Sequence, residues 1–276
     1  MSHLRITTLV ENTALKRGHL AEHGLSFWIE IENRKILFDT GQGDVVCANA
    51  RHFNIDLAQT DAIILSHGHY DHTGGLEKVL QLTGSAVLFT HPASFLHKYS
   101  RHTDGSVHEI GMNSPEKYRS GYGTELRLNE GHVEIFPKVH LTGFIPRLTD
   151  YENTGGKFFL DMACLKSDPL IDDQSAFIET PTGIAVILGC AHSGIINTLN
   201  YIRKLTNDAP IHTLIGGMHL LAASPERMSR TLDELKGFGL KQILPAHCTG
   251  FAATALLCRE FSEICRPCNV GTVVEI

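Results

Sequence analysis

The sequence of 276 residues lacks any apolar run close to the roughly 18 residues that a bilayer-spanning helix needs. Its longest apolar stretches, such as 61–65 and Gly183–Leu188, have instead the length of buried strands. Residues 1–10 also lack the charged leader and apolar segment that are typical of a signal peptide. We therefore expect a soluble protein of the cytoplasm that has no membrane among its partners.

Positive charge is scarce as well. The chain has 24 lysines and arginines against 30 aspartates and glutamates, which gives a net charge of −6 at pH 7. General binders of nucleic acid present clustered positive charge, so we expect no nucleic-acid partner. A local basic pocket remains compatible with this balance. We expect a small-molecule substrate, for which an anionic compound is one option, and the sequence leaves the oligomeric state open.

The sequence also lacks the even number of cysteines that is typical of a disulfide-bonded framework. Seven cysteines are scattered along the chain, which argues against disulfides and suits a reducing compartment. Cys265 and Cys268 form a single Cys-x-x-Cys pair, and two independent thiols are a simpler interpretation than a redox or zinc site. No internal repeat or linker divides the chain, so we predict one domain over 1–276. Within it, the polar stretch 98–130 is either a long loop or a small insertion.

What the sequence does contain is an alternation of strand and helix patterns behind a β-rich start. The pattern predicts an α/β protein with sheets packed face to face and helices outside. Ser224 and Pro225 are typical of a helix start, and Gly237 ends that helix. The other predicted helices cover 76–82, 195–205 and 252–264. The predicted strands cover 5–10, 25–32, 35–39, 61–66, 86–90, 133–135, 139–141, 175–179, 184–188, 211–215, 242–244 and 272–275.

The segment 66–75 concentrates residues that bind metals, between a predicted buried strand and a predicted helix. Imidazole nitrogen and carboxylate oxygen suit zinc, iron or manganese, and a tight loop can direct alternate side chains to two neighbouring points. Glycines within the segment allow such a turn. A histidine-rich surface loop is the alternative, but it explains neither the preceding strand nor the glycines. The metal-binding residue types in this segment are His67, His69, Asp71 and His72.

The spacing His67-x-His69-x-Asp71-His72 after a short apolar strand resembles the signature of the metallo-β-lactamase superfamily, and Asp39-Thr40-Gly41 resembles its first motif. Further segments are similar to one branch, typified by the 7,8-dihydropterin-6-methyl-4-(β-D-ribofuranosyl)aminobenzene-5′-phosphate synthases of archaea and often labelled dihydropteroate-synthase-like. These segments are 22–26, 37–42, 142–147, 189–194, 216–220 and 247–250.

This resemblance implies an αββα sandwich of two mixed sheets, with two divalent metal ions at one edge. Zinc is the first expectation for the metal, with iron and manganese as alternatives. The resemblance assigns His67, His69 and a histidine from a later strand end to one metal, and Asp71, His72 and His247 to the other. Asp71 and His72 are therefore also the candidate catalytic residues.

The sequence departs from the superfamily pattern where a bridging aspartate is usual, because Gly189-Cys190 stands at the end of that predicted strand. No histidine occurs around 172–175, where the third-motif histidine is sought. His192 is our first choice for the missing ligand and Cys190 is the second. Asp39 is expected to hold a metal-bound histidine through that residue's other ring nitrogen, as carboxylates commonly do.

Some candidates stay open between a binding and a structural role. His219 follows a predicted strand and could line the pocket, and His23 is a similar case. Arg147 and Lys157 could meet a phosphate or carboxylate, although most lone cations are solvated surface residues.

Three functions remain open from the sequence. Two metals sharing a water would generate hydroxide near neutral pH, which favours hydrolysis of an ester, lactone, amide or phosphoester bond. The branch resemblance implies instead a transferase that joins a pterin carbon to an aminobenzene ribose phosphate. A metal-loaded ligand sensor without chemistry is the third hypothesis.

Overall fold

The computed structural model describes residues 3–112, 115–119, 124–153 and 155–276, so part of the predicted insertion at 98–130 lies outside the described residues. The strands are β1 (Leu4–Val10), β2 (Ser26–Ile31), β3 (Arg34–Phe38), β4 (Ala62–Ile64), β5 (Val87–Thr90), β6 (Tyr99–Arg101), β7 (Val107–Glu109), β8 (Glu125–Leu128), β9 (Val133–Phe136), β10 (Val139–Leu141), β11 (Phe158–Phe159), β12 (Ala176–Thr180), β13 (Gly183–Leu188), β14 (Ile211–Gly217), β15 (Gln242–Ala246) and β16 (Val273–Glu275). The α-helices are α1 (Val45–His52), α2 (Tyr70–Thr73), α3 (Leu76–Leu82), α4 (Pro115–Arg119), α5 (Ile195–Leu205), α6 (Pro225–Lys236) and α7 (Phe251–Glu260). Short 3-10 helices cover Leu57–Gln59, Pro92–Phe95 and His247–Thr249.

Two large mixed sheets carry the fold. The first has the strand order β16-β1-β2-β3-β4-β5-β8, and the second has the order β15-β14-β13-β12-β10-β9. In the first sheet β3, β4 and β5 run parallel, and in the second sheet β13, β14 and β15 run parallel. A small third sheet, in the order β11-β6-β7, includes two strands from the predicted insertion.

The side chains of each strand alternate between two cores, as the two-residue period of a strand requires. In β3, Ile36 and Phe38 pack into the core between the two sheets, whereas Leu37 packs outward with residues of α1 and α3. In β13, Ile187 faces the inter-sheet core and Val186 faces α5 and α6. The four layers are therefore helices, sheet, sheet and helices, and the predicted αββα sandwich is confirmed.

Most predicted elements are present with ends shifted by one or two residues. The last predicted helix, 252–264, is too long, because α7 ends at Glu260. Beyond that point the chain turns so that Ile264 and Arg266 exchange backbone hydrogen bonds with Ile243 of β15. Those backbone groups pair with a strand and are therefore not available to continue the helix.

Helix α1 is an element that the sequence pattern did not predict. Its buried residues Val46, Asn49 and Ala50 follow helical spacing, but Asn49 is an unusual core residue. The amide of Asn49 donates to the carbonyls of Leu9 and Leu20 at 2.7 Å each, which satisfies it inside the core. In the part of the chain that the structure describes, no helix is long and apolar enough to cross a membrane.

Candidate metal centre

The predicted site residues lie together at one edge of the sandwich. Asp39 follows β3, and the histidine-rich loop follows β4. The ends of β13, β14 and β15 lead to Cys190 and His192, to His219, and to His247. The carboxyl ends of parallel strands share one edge of a sheet, and the face-to-face packing brings the two edges together.

Three imidazoles form a first group of donors. The ligand atoms of His67, His69 and His192 all lie within 4.8 Å of one another. Nε2 of His67 lies 2.9 Å from Nδ1 of His69. Two nitrogens on one tetrahedral zinc ion, with bonds of about 2.0–2.1 Å, lie about 3.3 Å apart. The arrangement is thus close to the spacing that a shared metal ion requires.

A second group of donors surrounds one carboxylate oxygen. Oδ2 of Asp71 lies 3.2 Å from Nε2 of His247, 3.3 Å from Nε2 of His23 and 3.9 Å from Nε2 of His72. The side chain of His23 is half-exposed, whereas those of His72 and His247 are buried. His23 therefore links this group to the solvent.

Cys190 lies between the two groups. Its Sγ is 3.1 Å from Nε2 of His72, and its ligand atom also lies within 4.8 Å of those of His67, His192 and His247. The sequence left His192 and Cys190 as alternatives, and the structure brings both residues into the cluster.

The histidine rings are oriented by hydrogen bonds behind the site. Oδ2 of Asp39 lies 2.6 Å from Nδ1 of His72 and accepts from Oγ of Ser66 at 2.7 Å. Oγ of Ser66 lies 2.8 Å from Nδ1 of His67. On the other side, Oδ1 of Asn12 lies 2.9 Å from Nδ1 of His247. These contacts leave Nε2 of each of the three rings directed to the cluster.

The sequence singled out Asp39 for such a role but missed Ser66 and Asn12. The position of Asn12 just after β1 was the available signal, because a polar residue at a strand end often faces a site. Ser66 directly precedes the histidine motif, and only the fold shows that its hydroxyl turns back to Asp39.

Burial and neighbouring charges shift the pKa values of the three loop histidines in different directions. Burial, reinforced by the other histidines, holds the pKa of His67 well below its usual value. Burial and then the charge of Lys98 lower the pKa of His69 to about 3. Burial also acts to lower the pKa of His72, but the carboxylates of Asp39 and Asp71 outweigh it and raise that pKa to about 9. Neutral imidazoles are the form that binds metals, and a metal would take the place of the proton on His72.

The donor set fits divalent metal ions. Nε2 of His69 is buried and has no hydrogen-bond partner among the described residues. The other ring nitrogen of His69, Nδ1, is the one that faces Nε2 of His67, so the fit to a metal ion depends on the chemistry of the donors that converge in the cluster. The histidine nitrogens of the two groups, with the carboxylate of Asp71 and the thiol of Cys190, form the N, O and S donor set that zinc and iron accept.

Four residues that follow strands at this edge have backbones in the left-handed region. The φ angles are 58° for Asp39, 54° for Ala191, 46° for His219 and 49° for His247. Such conformations cost about 1 kcal/mol or more each in residues other than glycine, and they cluster at functional sites. The surrounding packing must therefore hold these strand ends in place.

A further segment lies over the first donor group. The ring of Phe158 lies 5.4 Å from that of His69 and 5.3 Å from that of His192, between centroids. The ring of His219 lies 4.3 Å from that of His192, and a Cβ at Gly155 would be 1.8 Å from Cδ2 of His219. His219 therefore lines the site, and the segment beside it needs glycine at this close approach.

The candidate cations differ in position. Arg147 is half-buried and its charge acts on the pKa of Asp173, whose Oδ2 accepts a hydrogen bond from the backbone of Ser193 beside His192. Lys157 is exposed. Arg147 is thus the cation of this pair that approaches the site.

A buried ion cluster anchors the metal loop from behind. Nζ of Lys98 lies 2.9 Å from both Asp168 and Asp172, and Lys98 is 1% exposed. Asp172 also accepts a hydrogen bond from the backbone N–H of Gly68 at 2.8 Å. Sequence reasoning missed this role of Lys98, which lies at the start of the predicted insertion.

Known proteins are similar to this chain in sequence and in fold. Residues 20–150 match the family model of the metallo-beta-lactamase superfamily. The chain is 29% identical over 290 residues to 7,8-dihydropterin-6-methyl-4-(beta-D-ribofuranosyl)-aminobenzene-5′-phosphate synthase of Methanocaldococcus jannaschii. This alignment covers 100% of this chain and 97% of that protein. It is 35% identical over 258 residues to an uncharacterized protein of the same organism, with 91% and 93% covered.

A solved structure agrees along nearly the whole chain. Tm1679, described as a metal-dependent hydrolase of the beta-lactamase superfamily, superposes with a TM-score of 0.84 at 29% sequence identity. The superposition covers 99% of each chain.

Proposed function

The chain belongs to the metallo-beta-lactamase superfamily, and we propose that it is a metal-dependent hydrolase of an ester, lactone, amide or phosphoester bond. The observation that supports this proposal most directly is the convergence of two donor groups at one strand edge. The solved relative Tm1679, which is described as a metal-dependent hydrolase, supports the same reaction class.

Each donor group would hold one divalent metal ion, for which zinc is the first choice. His67, His69 and His192 would bind one ion, and Asp71, His72 and His247 would bind the other. When bound, the metals would act as Lewis acids on the scissile bond and lower the pKa of water towards neutrality.

The protein's own residues supply orientation and proton transfer. Asp39 and Ser66 fix the rings of His72 and His67, because each accepts a hydrogen bond from the Nδ1–H group of its ring. The hydrogen bond from His23 to Asp71 raises the pKa of His23 above its usual value, and the half-exposed ring of His23 reaches the solvent. His23 is therefore placed to carry a proton between Asp71 and bulk water.

The substrate is proposed to be a small molecule, with anionic compounds included. Arg147 offers positive charge near Asp173 and Ser193, next to His192. His219 and Phe158 would form an aromatic wall against the part of the substrate that does not react.

The test is turnover by the zinc-loaded protein over panels of esters, lactones, amides and phosphoesters. We expect activity with one class, and its loss in His69→Ala together with loss of bound metal. His212→Ala is the matched control, since His212 lies on β14 away from the donor groups and should retain activity. A folded protein that carries two metals per chain and hydrolyses no member of the panels would contradict the proposal and leave the sensor hypothesis.

The ligand set itself is tested by metal content. We expect about two metals per chain in the wild type and a lower content in His192→Ala. A wild type with one metal or none would contradict the two-metal arrangement.

A second candidate function is supported by the full-length similarity to the synthase of Methanocaldococcus jannaschii. On this alternative the chain would transfer a dihydropterin group from its diphosphate to a ribosylated aminobenzene acceptor, and the metals would assist the leaving group. Incubation with both compounds distinguishes the alternatives, because a transferase would form the joined product and a hydrolase would not. Absence of both binding and product would exclude the transferase.

A further inference from the structure

Two cysteines approach each other beside the nitrogen donors. Cys190 follows β13 and Cys248 follows β15, on either side of β14. Gly217 of β14 leaves the space for this approach, because a Cβ there would be 2.7 Å from Sγ of Cys248 and 3.4 Å from Cα of Cys190. Any larger residue at 217 would push the thiol of Cys248 away.

Cys190 is the common member of three donor clusters. Its Sγ lies within 4.8 Å of donors from His67 and His72, from His192 and His219, and from His247 and Cys248. It therefore stands at the junction between the two nitrogen groups, and a single side chain there can reach a metal in either group.

Cys248 has surroundings that suit a thiolate. Its Sγ accepts a hydrogen bond from the backbone N–H of His219 at 3.3 Å. The Sγ of Cys248 also lies 3.5 Å from the carbonyl oxygen of Cys190. A sulfur can approach a carbonyl oxygen in this way only if it carries a proton or a cation. A metal ion can replace that proton, and the N–H group then supports the negative sulfur.

We propose that Cys248 is a further metal ligand, on the metal that His247 binds, and that Cys190, which the sequence already offered as an alternative ligand, lies between the two metal positions. This inference rests on one part of the proposed function, namely that the cluster binds divalent metal ions. Each thiol releases its proton to solvent when its sulfur binds the metal. With two sulfur donors, the metal site that includes His247 is a softer ligand set than one of nitrogen and oxygen donors alone. Such a site favours zinc, iron or cobalt over manganese and magnesium.

The experiment is absorption spectroscopy of the protein loaded with Co²⁺ under reducing conditions. We expect an intense near-ultraviolet thiolate-to-cobalt band in the wild type, a partial loss in Cys190→Ser and in Cys248→Ser, and complete loss in the double variant. Cys47→Ser is the control, because Cys47 lies on α1 outside all the donor clusters and its loss should leave the band unchanged.

Two results would overturn the inference: cobalt bound to the wild type without this band, or a band that Cys248→Ser leaves unchanged. A protein that binds no metal at all would contradict the proposed function instead. A measurement on the wild type avoids any folding defect of the variants. Zinc should slow alkylation of Cys248 by iodoacetamide at least tenfold while leaving Cys47 unaffected, and equal rates at Cys248 with and without zinc would exclude ligation.

Discussion

The carboxylate of Asp39 lies 2.6 Å from Nδ1 of His72, and both side chains are completely buried. The two residues are far apart in sequence, and the end of β3 and the short helix α2 bring them together. The contact fixes the imidazole so that its Nε2 faces Asp71 and Cys190. Outer contacts of this kind commonly contribute about 10–100-fold to metal affinity.

Replacement of Asp39 should therefore weaken metal binding more than it weakens the fold. We expect Asp39→Asn to lower the affinity for the second zinc ion by about 10–100-fold, measured by competition with a chromophoric chelator. Asp61→Asn is the control, since Asp61 pairs with Arg34 outside the cluster. An unchanged affinity in folded Asp39→Asn would show that His72 is oriented without this carboxylate.

Loss of Lys98 should destabilise the protein strongly. Lys98→Met removes the cation from two buried carboxylates, and breaking a buried pair by removing one partner costs about 3–5 kcal/mol. Urea unfolding measures this change in the free energy of unfolding. Lys138→Met breaks an exposed pair with Glu32 and should cost at most about 1 kcal/mol. Equal effects of the two substitutions would mean that the buried cluster is not an anchor.

The same cluster predicts a dependence of stability on pH. Burial acts to raise the pKa of Asp172, but the charge of Lys98 and the hydrogen bonds outweigh it, so the pKa lies below its usual value. A carboxyl with a lowered folded-state pKa stabilises the fold above its unfolded pKa of about 3.9, and this contribution is lost as the pH falls through the folded-state pKa.

Asp172→Asn should therefore be less stable than the wild type at pH 7, and the difference should shrink steadily below about pH 4. Urea unfolding at a series of pH values measures it. Asp233→Asn is the control on the exposed face of α6 and should differ little from the wild type at any pH. A difference for Asp172→Asn that stays constant down to acid unfolding would contradict the assignment.

The close packing of the metal loop gives another prediction. A Cβ at Gly68 would lie 2.2 Å from the carbonyl oxygen of Ser94, so Gly68→Ala must displace backbone between His67 and His69. We expect a loss of about 1–3 kcal/mol in stability, by urea unfolding, together with reduced metal content. Gly84→Ala meets nothing within 4 Å and should change neither quantity. Full metal content in Gly68→Ala would show that the loop adapts.

Much of the fold was readable from the sequence because the two-residue and helical periods are strong. The helix 76–82 and the helix 195–205 were predicted with their observed ends, and so was the capped start of α6 at Ser224. Helix α1 was not predicted because one of its core residues is Asn49, whose hydrogen-bond partners Leu9 and Leu20 lie in other parts of the chain. No local pattern reports a partner of that kind.

The sequence by itself identified the candidate metal-binding loop, because four donor residues within one short segment between a strand and a helix need no tertiary information to be recognised. It could not decide between His192 and Cys190, since both follow the same strand. Only the packing of the two sheets places both in contact with the loop and adds Cys248, Ser66 and Lys98. These contacts join residues from separate strand ends, and the geometry of the packed sheets, which no sequence period encodes, sets their distances.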